Sequence, residues 1–284
     1  MEKYSALIID LKKSRSYSLN DRNSLQKYIL KVIKHLNSLF SHSLVREIEF
    51  SAGDEVQGLF ISPEASYLYY RLFAMIVYPV EIRAGIGVGE WNVQIIHAST
   101  TVQDGPVYHN ARHAIKHVKD TQGYPVLLYS GNENDRYVNT VINSPFAFTD
   151  KNTEYQNDMM LMLELLYPID CSHSIDCSKI APIFPLLASK KEIDYYTRFR
   201  KEKAVRNYPF DVAESTHDSP ICTDAAELTS GFFTTSGKKR GMTIQLSRML
   251  LVSRQSVDKT IKTANVYEAR NCTITALQFM NQYF

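Results

Sequence analysis

The stretch EFSAGDEVQGLF, Glu49 to Phe60, constrains the fold more than any other part of the chain. Apolar runs flank Gly53-Asp54-Glu55, so the backbone must leave a buried layer, reverse and re-enter it. Glycine supplies the positive φ of a tight turn, and aspartate tolerates the bend. A β-hairpin follows. Its tip presents carboxylates, which serve either as ordinary turn chemistry or as ligands for a divalent cation.

Periodicity on either side places this hairpin in a mixed architecture. YSALIID is a strand-length apolar run ending at Asp10. In DRNSLQKYILKVIKHLNSLF, Leu25, Ile29, Val32, Ile33, Leu36, Leu39 and Phe40 recur at helical spacing. SPEASYLYYRLFAMIVY opens with Ser and Pro, a helix start, and continues as a buried helix. VEIRAGIGVGEWNVQII predicts a further pair of strands whose glycines suit close backbone approach or bends, PVYHNARHAIKHVK a helix and YPVLLYS a last strand. The order predicts an α+β or α/β arrangement with helices covering one sheet.

Beyond about residue 153 the pattern turns helical. TEYQNDMMLMLELLY is a strong helix, more helix surrounds Pro182 and Pro185, a turn-rich linker is expected near 207–222, and short helices follow. The expected division is therefore 1–150, a helical connector and linker over 151–222, and a helical end over 223–284.

With 44% hydrophobic and 22% charged residues the chain can build a large core. It has no apolar run of about 18 residues and no secretory signal, so a cytoplasmic protein without a membrane span is expected. The four cysteines lack metal-type spacing, and the clip CSHSIDCS has no second cysteine pair to complete it. Net charge is +2, but residues 237–284 carry 8 Lys+Arg against 2 Asp+Glu. A basic end on a near-neutral body points to a local polyanion contact, or to a solvated helical surface.

If the first strand and the hairpin are central neighbours, Asp10 and Asp54 converge at one sheet edge with Glu55 beside them. Hard oxygens held this way suit Mg²⁺ or Mn²⁺ and leave room for phosphate. His109, His113 and His117 repeat every four residues but lack the glutamate of an H-E-x-x-H frame, so polar surface is their default. Trp91 is expected to pack at a strand end.

ALIIDLKKS, FSAGDEVQGLF, IRAGIGVGEW and DGPVYHNARHAI, in that order over about residues 4–130, resemble the SatD family of bacterial proteins. That family in turn is similar to nucleotidyl cyclase and GGDEF palm domains. The resemblance implies a ferredoxin-like, cyclase-like palm sheet. It implies Asp10 and Asp54 as metal-binding catalytic aspartates, with Gly53-Asp54-Glu55 mirroring the GDE of GGDEF domains. It implies Arg112 as the phosphate-neutralising arginine of the final helix, with Tyr108 standing where cyclases carry asparagine. Leu11, Lys12, Lys13 and Ser14, after the first strand, and Glu55 are the expected nucleotide contacts.

MTIQLSRMLLVSRQSVDKTIKTANVYEA, residues 242–269, resembles a bacterial helix-turn-helix. Ile244, Leu246 and Leu250 are expected to line the first helix, Ser253 to cap the second, and Val257 and Ile261 to bury it. Arg254, Gln255, Ser256, Lys259 and Lys262 are then left facing double-stranded DNA, while Lys238, Lys239 and Arg240 stand ready for phosphates. Leu251 stands where such turns usually carry glycine, so the bend is expected to form without a left-handed residue. The sequence reading is thus a dimeric, nucleotide-responsive DNA-binding regulator. The rivals are an active nucleotidyl cyclase or transferase and a non-catalytic interaction protein.

Overall fold

A computed structural model describes residues 2–95, 98–121, 123–190, 193, 220–224, 233–235 and 237–284. The protein is α+β. A five-stranded sheet is formed by β1 (Tyr4–Leu11), β2 (Leu44–Ala52), β3 (Glu55–Phe60), β4 (Ile82–Gly89) and β5 (Val126–Tyr129), in spatial order β2-β3-β1-β4-β5. The central strand β1 runs antiparallel to both β3 and β4, and β5 runs parallel to β4. The hairpin expected from EFSAGDEVQGLF is β2–β3, and Gly53 takes φ 63° at its tip. β6 (Ile169–Asp170) and β7 (Ile221–Cys222) form a separate short parallel pair.

Residue alternation along β1 explains how the sheet is covered. Leu7, Ile9 and Leu11 face one side, where they share a core with α1 (Leu19–Leu39) and α2 (Pro63–Val77). Ala6 and Ile8 face the other, against α3 (Pro106–Asp120). Both helices of the first layer start on serine caps, Ser18 on the amide of Asp21 and Ser62 on that of Ala65. On the second side α3 lies almost on the strand. A Cβ on Gly87 would stand 2.1 Å from the Ala111 amide nitrogen, and one on Gly85 would stand 2.4 Å from that of Ile115. Glycine at alternate positions of IRAGIGVG is what lets helix and sheet backbones approach this closely.

The larger core does not stop at the sheet. α4 (Asp135–Thr149), α5 (Glu154–Leu166), α6 (Ile183–Lys190), α7 (Met242–Met249), α8 (Arg254–Thr263) and α9 (Val266–Met280) continue it, from Leu7 through Leu161 to Met280. A buried ion group links α2, α5 and α9. Glu164 meets Arg71 at 2.7 Å and also pairs with Arg270, and each of the three is at most 2% exposed. Arg270 also donates to the carbonyl oxygens of Gly237 and Tyr167, at 2.9 Å and 2.6 Å.

Three expectations change. Among the described residues of EWNVQII the expected second strand is absent, apart from one bridge between Val93 and Asp104. α4 was not foreseen, because Pro145 and a polar start disguise it, yet it is a 15-residue helix against β5 and α9. The expected linker lies, over 207–219, outside the described residues.

Candidate functional site

Strand register brings the acidic residues together. Asp10, next to last in β1, lies directly opposite Glu55, the first residue of β3, and Arg83 of β4 is its partner on the other side. All three lie at one end of the sheet. Asp10 and Glu55 are only 6% and 7% exposed, so each carboxylate needs partners. Arg83 Nε donates to Asp10 Oδ2 at 2.6 Å, and Lys119 Nζ lies 3.1 Å from Asp10 Oδ1 and 3.9 Å from Glu55. Arg112 Nη1 donates to Glu55 Oε1 at 2.5 Å, and its Nη2 donates to Gln57 Oε1 at 3.1 Å.

Arg112 and Lys119 come from α3, seven residues apart and so on nearly the same side of the helix. The glycine-mediated contact with β4 fixes how far over the sheet edge they reach. Two nearly buried carboxylates therefore meet three cations, an arrangement that binds these acids firmly while offering positive charge to an anion. Sequence reasoning found Asp10, Glu55 and Arg112. It missed Lys119, although the seven-residue spacing from Arg112 was there to be read, and it gave Arg83 no role at the site.

Asp54 occupies the turn itself. Its carboxylate accepts a hydrogen bond from Ser14 Oγ, which ties the hairpin tip to the segment after β1. In that segment Leu11 is buried, Lys12 donates its amide to Glu81 O at 2.9 Å, and Lys13 adopts a left-handed φ of 57°. The expected row of free amides is thus partly occupied. Lys12 and Lys13 line a cavity of about 660 Å³, whereas Glu55 and Arg112 line a different one of about 270 Å³. Of the nucleotide contacts expected from the sequence, Lys12 and Lys13 line one hollow and Glu55 the other, while Leu11 and Ser14 line neither.

The smaller hollow is also lined by Ser51, Gln57, Gln103, Tyr108 and His109. Tyr108, four residues before Arg112 on α3, is 7% exposed, and its hydroxyl has no hydrogen-bond partner among the described residues. Burial pushes this phenol well above its ordinary pKa, so it is a neutral donor and acceptor. His109 sits 3.1 Å from Asp104, while the rings of His113 and His117 lie tilted against each other with centroids 4.3 Å apart. Trp91 packs edge-on to Tyr4 under the Arg46 guanidinium. Among the described residues no three Asp, Glu, His or Cys side chains form a metal-binding group.

The other expected surface lies on α8. Ser253 caps it on the amide of Ser256, Val257 and Ile261 are buried, and Arg254, Gln255, Ser256, Lys259 and Lys262 are all exposed. Arg254 lies 3.5 Å from Asp258 on the same face. Two details differ from expectation. Ile244 is 40% exposed, and Met242 and Met249 join Leu246 and Leu250 in packing α7 instead. The turn does use a left-handed residue: Leu251 itself takes φ 52°, at a cost of about 1–2 kcal/mol for a side-chain-bearing residue.

Fold and site thus define an α+β protein with a paired-carboxylate, cation-rich sheet edge. A sequence model of the SatD family matches residues 4–181, more than half of the chain, and the protein belongs to that family. Helices α7 to α9 lie beyond the matched residues. Comparison with curated proteins finds no match. No helix is long and apolar enough to cross a membrane among the described residues.

Proposed function

We propose that this SatD protein binds a nucleotide at the β1–β3 edge of a ferredoxin-like, cyclase-like palm, and binds double-stranded DNA through a helix-turn-helix formed by α7 and α8. The observation that carries the reading is the meeting of Asp10, Glu55 and Arg112 across adjacent elements. The strand order supports the palm, since the first four strands run β2-β3-β1-β4, all antiparallel to their neighbours.

Oxygen donors of the kind that Asp10 and Asp54 offer suit Mg²⁺ or Mn²⁺ by chemistry, for these ions take one or two carboxylates together with substrate phosphates. Both oxygens of Asp10 already have cationic partners, so an ion must displace Lys119 or Arg83 to bind there. A polyphosphate makes that exchange favourable, because it takes over the released ammonium as a counterion. Metal and nucleotide are therefore expected to bind together, each weakly alone. Bound metal would supply charge neutralisation at the phosphates. The protein's own Arg112 and Lys119 then grip the same anion from α3. Tyr108 in place of the cyclase asparagine favours binding over turnover.

On α8, Arg254 and Gln255 sit at the helix start, from which such helices reach guanine and adenine edges, and Lys259 and Lys262 follow along the face. A homodimer would present two such helices to a two-fold site.

Calorimetry with Mn²⁺ and each of ATP, GTP, CTP and UTP tests the first half. Binding that requires both metal and nucleotide and is lost in Asp10→Asn supports it, and no heat with any pair overturns it. A gel mobility shift tests the second half. Loss of the shift in Arg254→Ala, with affinity falling steeply with salt, is the expected result. Absence of any shift at low salt removes the DNA reading.

A further inference from the structure

The larger cavity, of about 660 Å³, holds Lys12 and Lys13 but not Asp10, Glu55 or Arg112, whose meeting carries that reading. Its walls come from the segment after β1, from α2, α4 and α5, and from Ala269 on α9. Its volume falls within the range of small-molecule sites, which favour junctions between structural layers and combine apolar walls with a few polar groups.

The lining is aromatic and asymmetric in charge. Tyr17, Tyr70, Tyr78 and Phe146 supply rings, with Tyr70 edge-on to Phe146 at 5.9 Å between centroids. Lys12, Lys13 and Arg71 supply three cations against two carboxylates, Glu81 and Asp150. Lys12 is 3.9 Å from Glu81, a long and partly exposed contact, while Lys13 has no ion-pair partner among the described residues. Arg71, 2% exposed, belongs to the buried group in which Glu164 faces two guanidinium ions, so the layer behind the wall also holds one positive charge in excess. Tyr70 is 1% exposed, so its ring forms part of the apolar wall.

The geometry points to this cavity as a binding site for a small organic anion with an aromatic body. Rings stack on or meet edge-on the aromatic walls, and the acid group meets the positive end at Lys12 and Lys13. An occupant touches both the sheet body and α9, the helix against which α8 packs. The site is separate from the Glu55–Arg112 hollow and stands whether or not a nucleotide binds there.

The test uses the full chain and anilinonaphthalene sulfonate, an aromatic anion whose fluorescence rises in apolar surroundings. Saturable binding to the folded protein is expected, abolished in Ala74→Trp, which fills the cavity, and weakened about fivefold in Lys13→Ala, the loss of one accessible charge contact. Thr149→Trp fills the same space from α4 and serves if Ala74→Trp does not fold, as thermal melting will report. Unchanged dye binding in a folded, filled variant, or no saturable binding at all, overturns the inference. Displacement of the dye by ATP with Mn²⁺ also overturns it as a separate site, because the cavity would then be part of the nucleotide pocket.

Discussion

The chain holds two clusters of the same side chains in opposite surroundings. Glu164, Arg71 and Arg270 lie between α2, α5 and α9, each at most 2% exposed. Asp10 and Glu55 lie at the sheet end with Arg83, Arg112 and Lys119, whose side chains keep 26%, 54% and 34% of their surface in water. In the first cluster no partner can leave without stranding a charge away from water, so it acts as a structural joint between the sheet body and the C-terminal helices. In the second the nearly buried Asp10 and Glu55 share three partly exposed cations, so one cation can turn toward solvent or a ligand while another stays. Solvent access, more than residue type, separates a joint from a site.

Replacing Glu164 with Ala should produce the largest effect. It leaves Arg71 and Arg270 buried and uncompensated, and a loss of about 3–5 kcal/mol is expected in urea unfolding. A loss under 1 kcal/mol would show that water reaches the cluster and would erase the contrast. Burial alone would raise the pKa of Glu164, but attraction from Arg270 and Arg71 outweighs it and holds the carboxyl below its ordinary value. This group's stabilisation is therefore complete above the ordinary carboxylate range and is lost as pH falls through the lowered folded value.

Gly87→Ala comes next. Its Cβ would press on the backbone of α3, so a loss of about 1–3 kcal/mol is expected, together with displacement of Arg112 and Lys119 from the sheet edge. Thermal melting reads the first effect and metal-dependent nucleotide calorimetry the second. Full stability in the variant would mean that α3 does not lie on the strand as described.

Lys119→Ala should be the mildest, below about 1 kcal/mol in stability and smaller still at high salt, while nucleotide binding weakens. A large, salt-independent destabilisation would place this cluster with the buried one and argue against exchange.

The comparison also marks what could be read along the chain. The hairpin was legible because Gly-Asp-Glu between apolar runs has few other solutions. The buried and exposed faces of α8 were legible because Val257 and Ile261 recur at i, i+4 between polar residues. Asp10 and Glu55 were singled out through local motifs, and strand pairing sets them opposite each other. The Glu164 joint was not, since Arg71 and Arg270 each stand about a hundred residues from Glu164, on either side of it, and each of the three alone looks like a surface charge. α4 was hidden for a related reason: tertiary packing against β5 and α9 overrides a proline and a polar start.

By itself, then, the sequence determined the local choices: where the backbone turns and which residues cap helices. These are set by dihedral freedom and by spacing along the chain, which need no knowledge of distant neighbours. Only the tertiary structure decided which charges are sealed and which remain open. The free energy of an ion depends on what surrounds it in space, and here that is a second helix or water.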